Sequence, residues 1–166
     1  MLNTSKILIH TALYPEAKPI IQHFKLILNK TYEPLKIFEN EHYILIVCGM
    51  GQKNTNQTLP FMYQNFNIKK AINIGIAGCR DTSVKLGSLF CTNHNLSKIP
   101  TATLTTVDEP LDDASKLNTL LVDMEAQSFL EISRKNIKEE NIFVFKIVSD
   151  HLSKQIPDKS FVYNSI

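Results

Sequence analysis

Carboxylate side chains follow three of the predicted strands in this sequence. Glu16 comes just after the first strand, Asp123 and Glu125 follow the run LLV, and Asp150 ends the run FVFKIVSD. In α/β proteins, ligands bind beyond the carboxyl ends of the strands, so we expect these side chains to converge on one rim of the sheet. Because carboxyl groups can give up or accept protons, such a rim is a candidate site for acid–base chemistry.

Two glycine-rich segments are predicted to lie on the same rim. Gly49 and Gly51 follow the strand that ends at Cys48, and Gly75 and Gly78 lie in the segment NIGIAGCR, residues 73–80. The second segment is interpreted as a glycine turn that ends a strand over 70–74 and lets a ligand approach the backbone. It lacks the lysine of phosphate-binding loops, so a phosphate cradle is not favoured.

Each of these features also has a purely structural interpretation. Glu16 could be a first-turn carboxylate favoured by the helix dipole. Asp123 could cap a helix that begins at Met124, and Asp150 could cap the segment after it. Either glycine segment could be a simple chain reversal. The residues alone leave both interpretations open.

The composition indicates one globular domain with no strongly charged partner. The chain has 166 residues, 43% of them hydrophobic and 20% charged, and its formal net charge is +2. This charge gives no electrostatic case for nucleic acid or an anionic membrane as partner. The apolar runs are too short to span a bilayer, and the N-terminus lacks the pattern of a signal peptide.

The cysteines and histidines predict neither disulfides nor a metal site. Three cysteines without a CxxC pair fit a reducing compartment, so we expect a cytoplasmic protein. The five histidines show no ligand spacing such as HExxH, so no metal or other cofactor is predicted.

Hydrophobic periodicity predicts the elements that would position the rim. Helical patterns cover residues 14–29, 54–66 and 124–136. Strand patterns cover residues 7–10, 35–38, 43–48, 70–74, 86–92, 101–107, 120–122 and 141–149. The alternation predicts an α/β fold with a mixed, mainly parallel sheet, and after residue 150 the pattern dissolves into a short tail.

Five segments, read in order, resemble the superfamily of purine nucleoside phosphorylases and methylthioadenosine/S-adenosylhomocysteine nucleosidases. They are ALYPEAKPII, VCGMGQKNT, INIGIAGCRDTSVKLGSLF, LVDMEAQSFL and KIVSDHLSKQ. LVDMEA is similar to the family's V-E-M-E-A signature, and VSD to its I-S-D ending. The resemblance implies a three-layer α/β/α fold and a single domain over residues 1–166. It also implies a homodimer that acts on a purine nucleoside.

The resemblance also implies a role for each site residue. Asp150 would be the acid that protonates the purine at N7, and Glu16 would orient the attacking water. Glu125 would bind the ribose hydroxyls while Met124 packs on the sugar. The other substrate-binding positions would be Gly75, Ile76, Ala77, Gly78 and Ser149. As in other glycoside cleavage, the sugar would become oxocarbenium-like.

Water is favoured over phosphate as the nucleophile. Related phosphorylases carry an arginine two residues before the first glycine of the central segment, and this chain has Asn73 there. Arginine suits a phosphate dianion best, and Arg80 is the first arginine in the chain.

Three departures from the family pattern keep alternative functions open. Ile76 stands where the family usually has serine, the stretch before LVDMEA is short, and the long C-terminal helix is missing. We therefore predict a nucleosidase that hydrolyses a methylthioadenosine-like nucleoside. The alternatives are a catalytically impaired protein that binds nucleosides or purines, and a phosphorylase.

Overall fold

The computed structural model describes residues 4–152 and 157–166, which form one mixed sheet with helices on both faces. The strands are β1 (Lys6–Thr11), β2 (Ile27–Leu28), β3 (Lys36–Glu39), β4 (Tyr43–Val47), β5 (Ile68–Cys79), β6 (Leu89–Cys91), β7 (Leu104–Thr106), β8 (Leu121–Asp123) and β9 (Ile142–Asp150). The helices are α1 (Tyr14–Phe24), α2 (Gln52–Asn65), α3 (Ala126–Arg134) and α4 (Lys159–Ser165).

The sheet is built around its longest strand, β5. Its order is β2-β3-β4-β1-β5-β8-β7, and β9 pairs with β5 and carries β6 on its other side. The pairs β1–β4, β1–β5, β5–β9 and β7–β8 are parallel, whereas β2–β3, β3–β4, β5–β8 and β6–β9 are antiparallel. The predicted α/β fold with a mixed sheet is confirmed.

Alternating side chains of the inner strands pack into two hydrophobic cores, one on each face of the sheet. Leu8 of β1 and Ile46 of β4 pack with Phe129 of α3, in the layer of α2 and α3. Ile9 and Leu45, their neighbours in sequence, pack on the opposite face with α1. This period of two is what a strand buried on both faces requires, and the result is the expected three-layer α/β/α arrangement.

The largest difference from the sequence prediction concerns β5. The strand does not end in a glycine turn at Gly75 but continues to Cys79. Its partner β9 pairs with it from Ala71 through Gly78, so the backbone of the whole segment stays extended. The glycines here are strand residues without side chains, not turn residues.

Smaller differences concern the element ends. The first helix ends at Phe24 rather than 29, because Lys25 takes a left-handed conformation with φ 53°. The helix predicted from residue 124 begins at Ala126. The short helix α4 forms in the tail that showed no pattern, while part of that tail, residues 153–156, lies outside the described residues. Within the described residues, no helix is both long and apolar enough to cross a membrane.

Candidate active site

A gap in the sheet beside β5 forms the candidate site. On one edge of β5, pairing with β1 ends at Asn73 and pairing with β8 begins at Gly78. Between these two points no described strand pairs with that edge, although β9 covers the other edge throughout. A cleft that is partly open to solvent lies over this gap.

Glu16 closes the gap from the α1 side. The side chain is 2% exposed, and its Oε2 accepts hydrogen bonds from the backbone N–H groups of Ala12 (3.0 Å) and Leu13 (2.8 Å). Its Oε1 accepts the unpaired N–H of Ile76 at 3.0 Å. Burial raises the pKa of the Glu16 carboxyl, although these N–H donors and the charge of Lys146 act in the opposite direction.

Gly75 gives the Glu16 carboxylate the space that it occupies. A β-carbon on Gly75 would lie 2.9 Å from Glu16 Oε1, a distance that real β-carbons essentially never show. Gly78 leaves similar room for Leu152 and Val122, which would lie 3.1 and 3.2 Å from an added β-carbon. Both glycines thus leave space that side chains from other elements occupy.

Glu125 reaches the same cleft from the start of α3. It is 6% exposed, and its Oε1 accepts the N–H of Gly51 at 2.6 Å. Gly51 has φ 92°, a conformation that favours glycine, and it caps helix α2. Burial raises the pKa of the Glu125 carboxyl, and the charge of Lys146 opposes that rise.

Asp150 ends β9 on the far side of the cleft. Ser149 Oγ lies 2.7 Å from Asp150 Oδ2 and 3.3 Å from the carbonyl oxygen of Ala77. The serine hydroxyl, anchored between β9 and β5, therefore fixes the orientation of the Asp150 carboxyl group.

Lys146 places a buried positive charge beneath the cleft. Its side chain is 1% exposed, and its Nζ lies 2.7 Å from Oδ2 of the equally buried Asp123. Burial lowers the pKa of Lys146, but the charges of Asp123, Glu125 and Glu16 outweigh this and raise it, so the lysine is an ammonium. Lys146 was not among the site residues predicted from the sequence. A single lysine inside the apolar run NIFVFKIVS was the available signal.

Asp123 organises the chain around this ammonium. Its Oδ2 also accepts the N–H groups of Glu125 (3.3 Å) and Ala126 (2.9 Å), and its Oδ1 accepts the hydroxyl of Thr106 at 2.6 Å. Asp123 thus holds the chain at the start of α3, which is close to the capping role that was one of its two interpretations.

The cleft brings together all but one of the residues predicted for the site. Those that line it are Glu16, Ile76, Ala77, Gly78, Met124, Glu125, Ser149 and Asp150. Gly75 lies beneath Glu16 instead. The apolar walls come from Val107, Pro110, Leu111, Val122 and Leu152, with Met50 at one side. The roles of the site residues remain predictions.

The described residues around the site hold no group suited to a metal ion. Across residues 4–152 and 157–166, no group of three or more His, Cys, Asp or Glu side chains could hold one. The polar groups that face the cleft are carboxylates and one hydroxyl, which suit proton transfer and the binding of hydroxyl groups.

Comparison with known proteins gives matches in structure but not in sequence. No protein-family model matches the chain, and no curated protein matches it. A methylthioadenosine/S-adenosylhomocysteine nucleosidase of Helicobacter pylori, a mutant with 5′-methylthioadenosine in its active site, superposes with a TM-score of 0.81 at 14% identity. This match covers 97% of the chain and 93% of the nucleosidase.

Two further structures give similar values. The corresponding nucleosidase of Campylobacter jejuni has a TM-score of 0.79 at 18% identity, over 97% of this chain and 93% of that one. A mutant of futalosine hydrolase from Helicobacter pylori has 0.80 at 14% identity, again over 97% and 93%. The chain therefore has the fold of these two nucleosidases and of futalosine hydrolase, and the resemblance predicted from its motifs is confirmed in the fold.

Proposed function

We propose that the protein is a nucleosidase that hydrolyses the N-glycosidic bond of a purine nucleoside of the methylthioadenosine type. The observation that carries the proposal is the convergence of Glu16, Glu125 and Asp150, from three separate elements, on one cleft. The nucleosidases that share the fold provide independent support.

In the proposed reaction, Asp150 protonates the purine at N7 as the bond between the sugar C1′ and the base nitrogen breaks. The electrons of that bond leave with the base, and the positive charge develops on the sugar. A leaving purine that has gained a proton is a better leaving group, which is the usual benefit of a general acid. Ser149 holds the acid in position.

Glu16 would orient and deprotonate the water that attacks C1′. Its Oε1 accepts one backbone N–H and keeps a lone pair that can accept a hydrogen bond from water. A carboxylate whose pKa is raised by burial is a stronger base, which suits this step. The proton that Glu16 gains and the proton that Asp150 loses are exchanged with solvent, so the net reaction consumes one water.

Glu125 would bind the sugar hydroxyls and Met124 would pack on the sugar. The Gly51 N–H occupies one side of Glu125 Oε1, which leaves the carboxylate able to accept hydroxyl donors from the cleft. Lys146 lies buried among Asp123, Glu125 and Glu16. Its positive charge offsets the negative charges of these carboxylates when substrate excludes water from the cleft.

A phosphorylase is less well supported. Among the described residues that line the cleft, none carries a positive charge that could hold a phosphate dianion. Asn73, at the position where phosphorylases carry an arginine by resemblance, is buried against His10. Arg80 donates from Nη1 to the carbonyl oxygen of Leu117 at 2.9 Å and does not line the cleft.

A catalytically impaired nucleoside-binding protein is the second candidate, favoured by Ile76. Its side chain lines the cleft and cannot form a hydrogen bond with a sugar hydroxyl. In this case calorimetry with adenine and with nucleosides would detect binding, and no free base would form.

A homodimer in the cytoplasm belongs to the same proposal, as does a single domain that lacks part of the family's middle segment. The three cysteines are free thiols, which is the state expected in a reducing compartment. Analytical ultracentrifugation tests the dimer directly, and a monomer at micromolar concentration would contradict it.

The decisive experiment is a turnover assay with the pure protein. Methylthioadenosine, S-adenosylhomocysteine, adenosine and inosine are each incubated with and without phosphate, and free base and free sugar are separated by chromatography. Hydrolysis that does not depend on phosphate supports the nucleosidase. Cleavage only with phosphate identifies a phosphorylase, and no cleavage of any nucleoside refutes both.

A further inference from the structure

A buried histidine, His10, lies near the end of strand β1, which precedes Glu16 in the chain, and it does not line the cleft. His10 is 0% exposed, and its ring packs against Phe129 of α3 with the ring centres 5.4 Å apart. Its Nδ1 lies 2.9 Å from Asn73 Nδ2, and its Nε2 lies 3.3 Å from Thr55 Oγ1. The site described above does not use this ring.

The contacts of Asn73 indicate which ring nitrogen carries the proton. Asn73 Nδ2 lies near two groups of His10, the ring Nδ1 and the backbone carbonyl oxygen at 3.5 Å. A carbonyl oxygen can only accept, so the amide nitrogen faces His10 as a donor. In this arrangement the ring accepts at Nδ1 and carries its hydrogen on Nε2, directed at Thr55, while Asn73 Oδ1 has no hydrogen-bond partner among the described residues.

Thr55 connects His10 to the Gly51 turn, whose backbone N–H binds Glu125. Because its hydroxyl accepts from His10, the hydroxyl hydrogen is available to the carbonyl oxygen of Gly51, 3.4 Å away, and Cys48 Sγ at 3.8 Å is a second acceptor within reach. The backbone N–H of Thr55 donates to the same oxygen at 3.3 Å. The N–H of Gly51 then donates to Glu125 Oε1 at 2.6 Å.

The ring stays neutral, so the direction of these bonds does not reverse with pH. Burial and the nearby charge of Lys146 lower the pKa of His10 to about 3, although Asp123 acts in the opposite direction. A charged ring would need to donate from Nδ1 towards the amide nitrogen of Asn73, which has only donors.

We propose that His10 is a positioning residue for Glu125, acting as a neutral Nε2–H imidazole through Thr55 and the Gly51 turn. The functional part of this inference rests on the proposed role of Glu125 as the sugar-binding carboxylate. The structural part is the direction of the hydrogen bonds from Asn73 through His10 and Thr55 to Gly51. It does not depend on any activity.

The structural part is tested by NMR on the intact protein. Nitrogen-15 spectra of the His10 ring are expected to show the Nε2–H tautomer, unchanged between pH 5 and pH 8. The Gly51 amide proton, which donates to a carboxylate, is expected far downfield. Glu125→Gln gives the reference position for that proton without the charged acceptor. A ring that carries its hydrogen on Nδ1, or that titrates in this range, overturns the proposal.

Two variants then interrupt this series of hydrogen bonds at different residues. Thr55→Val removes one hydroxyl at nearly constant volume, and His10→Leu removes the ring nitrogens. In both, the Gly51 amide proton should move towards its position in Glu125→Gln, and His10→Gln, whose amide can still donate to Thr55, should restore it. Ser133→Ala, a buried hydroxyl of α3 away from the cleft, is the matched control and should leave the Gly51 signal in place.

The functional part is tested by kinetics of the same variants. Thr55→Val should raise KM roughly tenfold with a smaller change in kcat, as expected when a charged hydrogen-bonding group is misplaced. The same change made in a Glu125→Gln background should have no further effect. An undisturbed Gly51 signal in a folded Thr55→Val protein refutes the positioning role. A wild-type protein that cleaves no nucleoside refutes the proposed function and leaves the NMR result standing.

Discussion

The Glu16 carboxylate lies directly over Gly75, and a β-carbon on that glycine would come within 2.9 Å of Glu16 Oε1. The absent side chain in the middle of the central strand is therefore what lets a carboxylate from α1 reach the unpaired N–H of Ile76. Gly75 therefore serves a residue that lies 59 positions away in the sequence, Glu16, and not only the conformation of its own backbone.

Gly75→Ala is expected to abolish most of the nucleosidase activity. The added methyl group pushes the Glu16 carboxylate away from Ile76 and out of line with the attacking water, and a small displacement of a catalytic group can cost about 100-fold in rate. The measurement is kcat/KM for the nucleoside that the wild-type protein cleaves. Gly87→Ala is the control, because Gly87 has φ 84° and open space around it, so alanine there costs stability but touches nothing. Equal loss of activity in both variants would contradict the prediction.

Asp150→Asn should lose turnover but keep binding. The amide has the size of the carboxyl group and can still accept from Ser149, but it cannot protonate a purine. General acids contribute about 10² to 10⁴ in rate, so kcat should fall by that order while the dissociation constant of adenine changes little. Asp81→Asn, an exposed aspartate just after β5, should leave kcat unchanged. Retention of wild-type kcat in Asp150→Asn would remove Asp150 from the mechanism.

The meeting of Glu16 and Asp150 could be predicted from the sequence because it depends on a general property of α/β sheets. They follow β1 and β9, which run parallel to β5, and the carboxyl ends of parallel strands lie on one rim. Glu125 reaches the same cleft for a different reason, because it follows β8, which runs antiparallel to β5, and the sequence did not predict that direction. The pattern of apolar residues also predicted where strands lie in the sequence, since the runs 43–48 and 141–149 coincide closely with β4 and β9.

The continuation of β5 and the place of Lys146 could not be predicted in the same way. Glycine has a local preference for turns, whereas Gly75 and Gly78 are set by Glu16, Val122 and Leu152, which approach from other elements. Likewise, a lysine in an apolar strand becomes favourable only when Asp123 of β8 lies beside it, and nothing in the run itself encodes that pairing.

Lys146→Met should destabilise the fold and shift the pH profile of activity. Removing one partner of a buried ion pair leaves the other charge uncompensated, which costs about 3–5 kcal/mol of the free energy of unfolding. The ammonium also opposes the raised pKa of Glu125, so its loss moves that pKa further up. Because Glu125 must be ionised to bind sugar hydroxyls, the acidic limb of kcat/KM should move to higher pH.

The control for Lys146→Met is Lys6→Met. Lys6 pairs with Glu39 at a more exposed place, with side chains 15% and 22% exposed, and both lie away from the cleft. We expect a smaller loss of stability there and an unchanged pH profile. If the acidic limb of the Lys146→Met profile stays where it is in the wild-type protein, Lys146 has no electrostatic influence on the site.

Ile76→Ser distinguishes the enzyme from the impaired binding protein. Ile76 lines the cleft and its backbone N–H donates to Glu16, so the substitution changes the side chain and leaves this backbone contact in place. If Ile76 is the reason for weak turnover, the new hydroxyl should raise kcat for a nucleoside with a full ribose by roughly tenfold, the size of one added hydrogen bond. Ala102→Ser, on a segment outside the cleft, is the control. A fall in kcat would instead show that the apolar side chain is part of a working sugar site.

The last prediction concerns the loss of stability in acid. The pKa of His10 is lowered from 6.5 to about 3 in the folded protein, so between these values the unfolded chain binds a proton that the folded chain does not. The contribution of His10 to stability is therefore intact above pH 6.5 and declines as the pH falls towards 3, at about 1.4 kcal/mol per pKa unit. The raised pKa values of Glu16 and Glu125 act with the opposite sign, so the test compares wild type with His10→Gln in urea unfolding at pH 7 and pH 5. The variant should lose less stability on acidification, whereas His42→Gln, at an exposed histidine, should behave like the wild type. Parallel losses in wild type and His10→Gln would mean that His10 is not a neutral buried ring.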